Sequence, residues 1–442
     1  MGYLPNIIFL LILIAGIGYF SKNIRRLSRN IKLGRKVDVS DHISLRWKNM
    51  VRIALGQGKM VVRPVAGIMH IFVYLGFVII NIEVLEIIID GVLGTHRIFS
   101  PLGAFYDFLI ASFEVLALMV IVGIVVFWIR RNILRLQRFV KPEMKGWPKL
   151  DANLILYFEF VLMSLFLVMN AADAQLQHLG VPHYTRAGAF PVSQFIGHYM
   201  EGLSVASLMT MERAAWWLHI VGILFFLNYL YYSKHLHILL AFPNTFYGKV
   251  TPNGQLNNLE AVTKEVKLMM DPSADPYAVP AGDSEPPEKF GASDVMDLNR
   301  IQLLNAYTCT ECGRCTSECP ANITGKKLSP RKIMMDTRDR LEEVGKNIEK
   351  NKGQFVEDGK QLLGDYIAAE ELWACTSCNA CVEACPVSID PLSIIVDMRR
   401  YLVMEQSAAP TELNSMMGNI ENNGAPWPFN QMDRKNWAEE EN

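Results

Sequence analysis

Five apolar stretches, at residues 3–20, 65–90, 104–129, 152–170 and 214–234, constrain this chain more than any other feature. Each is long enough to cross a bilayer, which takes about 20 residues. In hydrocarbon every backbone amide must be satisfied within its own segment, so each stretch has to be a helix. The residues after about 240 are polar and hold all eight cysteines. The 442-residue chain therefore reads as mainly α: a five-helix transmembrane bundle over 1–242, a proline-rich linker over 243–290, and a helical polar domain with a helical tail over 291–442. A formal net charge of −1 gives no reason to expect nucleic acid as a partner.

The first stretch reads as an anchor rather than a cleaved leader. MGYLP has no basic n-region, and GYF is followed by SKNIRRLSRNIKLGRK, which behaves as a stop-transfer segment. Loop charge then sets the topology. Residues 21–63 hold twelve Lys or Arg and residues 130–150 hold seven, whereas the opposite loops carry Arg97, Arg186 and Arg213. This predicts an N-terminus outside and a cytoplasmic location for everything after residue 235. FPNTFYGKVTPNG and DPSADPYAVPAGDSEPPEKFG read as linker by their proline density, with a short helix expected in NLEAVTKEVKLMM between them.

CTECGRCTSECP (309–320) and CTSCNACVEACP (375–386) are one motif used twice, C-x2-C-x2-C-x3-C-P. Three thiolates of such a run wrap one face of a [4Fe–4S] cubane, and the fourth, before proline, reaches the other cluster. Cys309, Cys312, Cys315 and Cys385 would hold one cluster, and Cys375, Cys378, Cys381 and Cys319 the second. Structural zinc sites pair C-x2-C units instead, and a reducing cytoplasm disfavours disulfides. The segment between the motifs, SPRKIMMDTRDRLEEVGKNIEKN and then GKQLLGDYIAAEELWACT, reads as helical with its charges on a solvated face.

The fifth span ends in YYSKHLHILL. In one continuous helix His219 and His237 would share a face and lie about 27 Å apart, close to the hydrocarbon thickness. His235 would point the other way, to the headgroup boundary or a local hydrogen bond. GIMHIFVYLGF places His70 early in the second span, at the depth of His237. Two histidines matched in depth on antiparallel helices predict a haem between His70 and His237. A second haem at His219 would need a partner about ten residues beyond His70 on the same helix, and Ile80 stands there. His96, His178, His183 and His198 lie in outside loops and read as surface residues.

SKHLHI and the MHI of the second span resemble the cytochrome b (gamma) subunit of respiratory nitrate reductase, a five-helix protein with haems on its second and fifth helices. The resemblance implies lower-haem ligands at His70 and His237 and one upper ligand at His219, with Ile80 departing from the pattern. YTCTECGRCTSECPANITGKKLSPRKIMMD, WACTSCNACVEACPVSIDPL, MRRYLVMEQ and NIENNGAPW resemble membrane-bound heterodisulfide-reductase-like iron–sulfur oxidoreductases. These include the iron–sulfur type of electron-transfer-flavoprotein:quinone oxidoreductase. Members usually continue into cysteine-rich CCG modules that form the catalytic site. This sequence runs out at KNWAEEEN, so the resemblance implies a CCG-type catalytic subunit on a separate chain. It also implies a bacterial inner-membrane location.

Glu83, Glu86, Asp107, Glu114 and Glu159 fall in or near the spans, where ionisable groups are costly and mark function by default. Glu86 and Asp107 are expected to reach water at the outer ends, and Arg213 to anchor the outer interface. Glu83, Glu114 and Glu159 are candidates for a proton path or a quinone site. The expected function is a membrane-anchored electron-transfer subunit. It would relay single electrons between menaquinone or another quinone, one or two haems b, two [4Fe–4S] clusters, and a soluble electron-transfer flavoprotein or CCG-type partner. The alternatives are a membrane ferredoxin docking protein with no quinone site, and a quinol-driven heterodisulfide-reductase-type subunit.

Overall fold

The computed structural model describes residues 3–273 and 289–439. The expected linker residues 274–288 and the last residues of KNWAEEEN lie outside the described residues. Among the described residues the chain is helical throughout, and no β-strand forms.

Five helices are long and apolar enough to cross a membrane. They are α1 (Leu4–Lys32), α3 (Pro64–Leu93), α4 (Ala104–Trp128), α5 (Trp147–His178) and α7 (Val205–Tyr229). Two short helices, α2 (Ile43–Met50) and α6 (Ser193–His198), lie in the connections. Pro5, Pro64 and Pro148 open α1, α3 and α5 at positions where a missing N–H costs nothing. The Ser204 hydroxyl caps α7 by accepting from Ser207 N. Most of these helices outrun the apolar stretches, because a helix that leaves the bilayer keeps its backbone bonds in water. The bundle packs α5 against α7 and α3 against α4, around Ile80, Ile110, Phe113, Phe166, Ala215 and Ile220. Gly76 permits the α3–α4 approach: a Cβ there would lie 2.3 Å from Val120 Cγ2. Leu11, Ile14, Val78, Phe108 and Phe225 are exposed on the bundle's outside, where lipid would cover them.

The polar domain follows α8 (His237–Tyr247) and α9 (Glu260–Met270). It begins with α10 (Arg300–Thr308), α11 (Arg314–Glu318) and α12 (Pro320–Ile323). Next come α13 (Pro330–Lys350), α14 (Ala369–Trp373), α15 (Ala380–Ala384) and α16 (Pro391–Met404). An exposed tail carries α17 (Thr411–Asn423) and α18 (Asn436–Glu439). Its core is formed by Leu303, Ala306, Ile333, Leu341, Val344, Ile394 and Met398, and Leu27 of α1, Leu230 and Leu236 belong to the same core. The end of α1 is built into the domain: Asn30 Nδ2 donates to Tyr307 Oη at 2.9 Å, and Arg29 Nη2 to Gly345 O at 3.0 Å. Arg35 and residues 298–300 exchange backbone bonds of 2.8 and 3.0 Å.

Two expectations need correction. The fifth span does not run unbroken to His237. α7 ends at Tyr229, two short 3-10 turns follow, and Ser233 between them is extended (ψ 147°). The break is held because the freed groups find partners: Asp151 accepts from Tyr229 Oη (2.6 Å) and Lys234 N (3.1 Å), and Ser233 Oγ accepts from His235 N (3.1 Å). α13 does not lay its charges only on a solvated face. Arg331 and Arg340 are 0% exposed, each paired, Arg340 with Asp294 and Asp358 and Arg331 with Glu143. α8 spans residue 242, packs on α10 and buries Asn244 and Thr245.

Candidate functional site

The helix break delivers His237 to α3. Its ring centroid lies 6.4 Å from that of His70, with the planes at 44°. Two imidazole nitrogens each about 2 Å from one metal place their ring centres about 6 Å apart. His70 Nδ1 is buried without a partner. His237 Nδ1 lies 3.1 Å from the carbonyl of Lys234, which leaves Nε2 free to ligate. Burial and the neighbouring His235 and His70 push the His237 imidazole down to about 3, so it is neutral, the ligating form. The pair fits axial ligation of a haem iron. His235 does not stop at a headgroup: its Nε2 is 3.2 Å from Glu159 Oε1, and its ring lies 5.5 Å from that of His237 and 5.4 Å from Phe226. His219 is 1% exposed, its Nδ1 is 2.9 Å from Leu162 O, and its ring faces Phe166 at 6.0 Å. Ile80 is buried in the bundle core.

The cysteines are all free. In both motifs the third cysteine sits on a one-turn helix, Cys315 on α11 and Cys381 on α15, and these two helices pack together. Cys309, Cys312, Cys315, Cys381 and Cys385 all line one cavity. Cys375 and Cys381 in turn feel Cys319 and Cys378 as neighbouring charges. The loops turn sharply at Gly313 (φ 71°), where a Cβ would also meet Arg331 Nη1 at 2.5 Å. Backbone amides point at sulfur, Ile389 N to Cys385 Sγ at 3.3 Å and Ser377 N to Cys375 Sγ at 3.4 Å. Burial pushes the Cys309 thiol up to about 12 and Cys385 up to about 11. Buried thiols of this kind become thiolates when metal displaces their protons, so the donor set fits iron–sulfur clusters.

Lys234 joins the histidine pair to the first cysteine motif. Its carbonyl faces His237, and its buried ammonium pairs with Glu311 and donates to Pro148 O at 2.7 Å. Glu311 stands between Cys309 and Cys312 and is 3% exposed. Burial opposes its charge, but Lys234 and Arg338 (2.8 Å) hold it below the usual carboxylate range. The segment ahead of α3 grips the same motif. Arg314 Nη1 donates to Lys59 O (2.7 Å), and Arg63 Nη2 reaches Ser317 Oγ and Glu318 Oε1, both at 2.8 Å. Residues 130–150 add the Arg331–Arg138 carbonyl bond of 2.6 Å. Nothing in the residue order marked Lys234 or Glu311. The available signal was a lysine in the polar turn that follows the apolar run and an acid directly between the first two cysteines.

At the opposite end of the bundle, Arg97 is 6% exposed rather than a surface loop charge. It donates to Asp173 Oδ2 (2.6 Å), Tyr106 Oη (3.0 Å) and Asn170 Oδ1 (3.0 Å). Asp173 also meets His96 at 3.2 Å, which takes His96 out of the surface class. Glu86 is buried, not at water, and accepts from Phe99 N and Tyr106 Oη, each at 2.8 Å. Asp107 accepts from Gly188 N at 2.7 Å. Arg213 pairs with Glu212 and lies over the Trp216 ring. Of the three deep acids, Glu114 fastens the 190–193 loop, accepting from Val192 N (2.8 Å), Ser193 N (3.0 Å) and Asn170 Nδ2 (3.2 Å). Glu159 pairs with His235 at the other end. Glu83 lines a cavity, with one oxygen unpartnered.

Residues 308–389 match the family described as the 4Fe-4S dicluster domain, a range that encloses all eight cysteines. The chain is 27% identical, over 98% of its length, to the "Probable iron-sulfur-binding oxidoreductase FadF" of Bacillus subtilis, and covers 61% of that protein. It is 26% identical over 91% of its length to the "EtfAB:quinone oxidoreductase" of Syntrophomonas wolfei, covering 55% of it. Over 27% of its length it is 31% identical to one polypeptide of the "Ferredoxin/F(420)H(2)-dependent CoB-CoM heterodisulfide reductase" of Methanosarcina acetivorans, covering 60% of that polypeptide. The chain thus spans less than two thirds of these relatives. They bear out the resemblance to heterodisulfide-reductase-like iron–sulfur oxidoreductases. No solved structure matches the chain significantly.

Proposed function

We propose that this chain is a membrane-anchored electron-transfer subunit that relays single electrons between a quinone, a haem b and two [4Fe–4S] clusters. The observation that carries this reading is the His70–His237 pair, 6.4 Å apart and tied through Lys234 to Glu311 in the first cysteine motif. Haem b and the clusters, when bound, supply one-electron carriers. The chain's own residues do the rest. His70 and His237 would hold the haem, and the Lys234 carbonyl fixes the tautomer and orientation of His237. Cys309, Cys312, Cys315 and Cys385 would hold one cluster, and Cys375, Cys378, Cys381 and Cys319 the other. Cys378 is exposed, which would leave the second cysteine set accessible to a soluble partner. An electron-transfer flavoprotein or a CCG-type subunit fits that place, in keeping with the relatives' names. The basic loops support a reading with the cysteine domain on the cytoplasmic side of a bacterial inner membrane and the N-terminus outside. Residues 1–242 are the haem-binding bundle, 243–290 the connection and 291–442 the ferredoxin-type domain.

The test is anaerobic purification followed by mixing with a quinol analogue. Haem and cluster bands that bleach or shift support the reading, with His70→Ala/His237→Ala losing the haem band as control. Wild-type spectra unmoved by quinol would leave a ferredoxin docking protein as the better description.

A further inference from the structure

A cavity of about 330 Å³ opens among α1, α3, α5 and α7 at the end of the bundle away from the cysteines. That is large enough for an organic ring, since small-molecule sites start at about 300 Å³. It has two unlike walls. Phe9, Trp216 and Trp217 form an aromatic corner, with ring centroids 5.2–6.0 Å apart. The facing wall carries Glu83, Glu86, Asp90, Asp173 and Glu212.

Most of those acids are already used. Glu86 is held by Phe99 N and Tyr106, and Asp173 by Arg97 and His96. Asp90 accepts from Thr95 Oγ1, Arg97 N (2.8 Å) and Ile98 N (3.2 Å), and Glu212 is held by Arg213 and Tyr184. Among the described lining residues, Glu83 alone is a carboxylate with a buried oxygen left without a partner, and the residue is 3% exposed. A buried carboxylate oxygen without a donor is costly unless a ligand or water supplies one. We propose that this cavity binds the head ring of a quinone-class ligand, stacked on Trp216 and Trp217, with a ring hydroxyl of the quinol form donating to Glu83. The aromatic corner favours a flat ring over a cation or water alone, and the polar wall beside it orients ring oxygens. This rests on the quinone-linked reading above; it selects Glu83 from the three candidate acids and adds the aromatic corner, which the sequence did not offer.

The test is photolabelling of the full chain, loaded with its haem and clusters in lipid nanodiscs, with an azido-naphthoquinone, mapped by peptide mass spectrometry. The expected adducts fall on residues 83–97 and 212–217, and excess plain naphthoquinone suppresses them at least tenfold. Glu83→Gln should weaken competition by naphthoquinol at least tenfold and that by naphthoquinone less than threefold, because an amide still meets a carbonyl but accepts less well from a hydroxyl. Trp217→Ala should weaken both. Unchanged haem and cluster absorbance certifies that each variant is folded. Competable adducts elsewhere in the chain would overturn this placement and leave the quinone-linked reading standing. No competable adduct anywhere would overturn both.

Discussion

Lys234 does two jobs with two parts of one residue. Its carbonyl orients His237, and its ammonium neutralises Glu311 beside the first cysteines. Removing one member of a buried pair costs about 3 kcal/mol or more, since the other charge stays behind. Lys234→Met should therefore lower the melting temperature of the cysteine domain, and Lys234→Met/Glu311→Leu should recover part of that loss in a double-mutant cycle. A second residue-scale effect concerns pH. Burial raises the Asp336 carboxyl to about 6 from an ordinary 3.8, against the pull of Lys332. A raised acid stabilises the fold below its unfolded pKa, and that contribution is lost as pH climbs through about 6. Its share amounts to at most about 1.4 kcal/mol per pH unit inside that window. Thermal melts from pH 4 to 7 should show the decline, and Asp336→Asn should flatten it.

At the scale of elements, the break between α7 and α8 decides whether His237 meets His70. Asp151 on α5 holds the break by binding Tyr229 and the Lys234 amide. Asp151→Ala should let the turn drift and reduce bound haem by more than half, read from the pyridine haemochrome, while iron in the cysteine domain is retained. Hydropathy made the five spans legible, and the doubled motif made the cysteines legible, because both signals are local. The break was not legible: YLYYSKHLH carries no proline or glycine, and a carboxylate on another helix binds the groups on either side of its extended serine. The histidine pairing survived this error because His237 returns to the depth of His70 by another route. α13 misled for a related reason. Its buried arginines look solvated until Asp294, Asp358 and Glu143 arrive from elsewhere in the chain. Arg97 and His96 belong to the same class, polar groups whose burial depends on partners more than seventy residues away.

For the whole molecule, the two cysteine motifs should depend on each other. Cys385 lies in the second motif but lines the cavity of the first. Cys385→Ser should therefore perturb the cluster spectrum assigned to Cys309, Cys312 and Cys315 and lower iron content by about half, because each cluster takes one ligand from the other run. Electron paramagnetic resonance of the reduced chain would read it; an unchanged signal from the first cluster would rule out the crossed assignment.

The end of α1 is a partner of residues made far later. Arg29 binds the carbonyl of Gly345, 316 positions on, and a Cβ at Gly345 would collide with Asn30 at 2.5 Å. A ribosome adding about 5–20 residues per second needs about 15–60 seconds to cover that interval. Throughout it, the anchor is in the membrane while its polar tip has nothing to hold. Assembly of this contact must therefore run from the membrane outward: the tip waits, and the later domain closes on it.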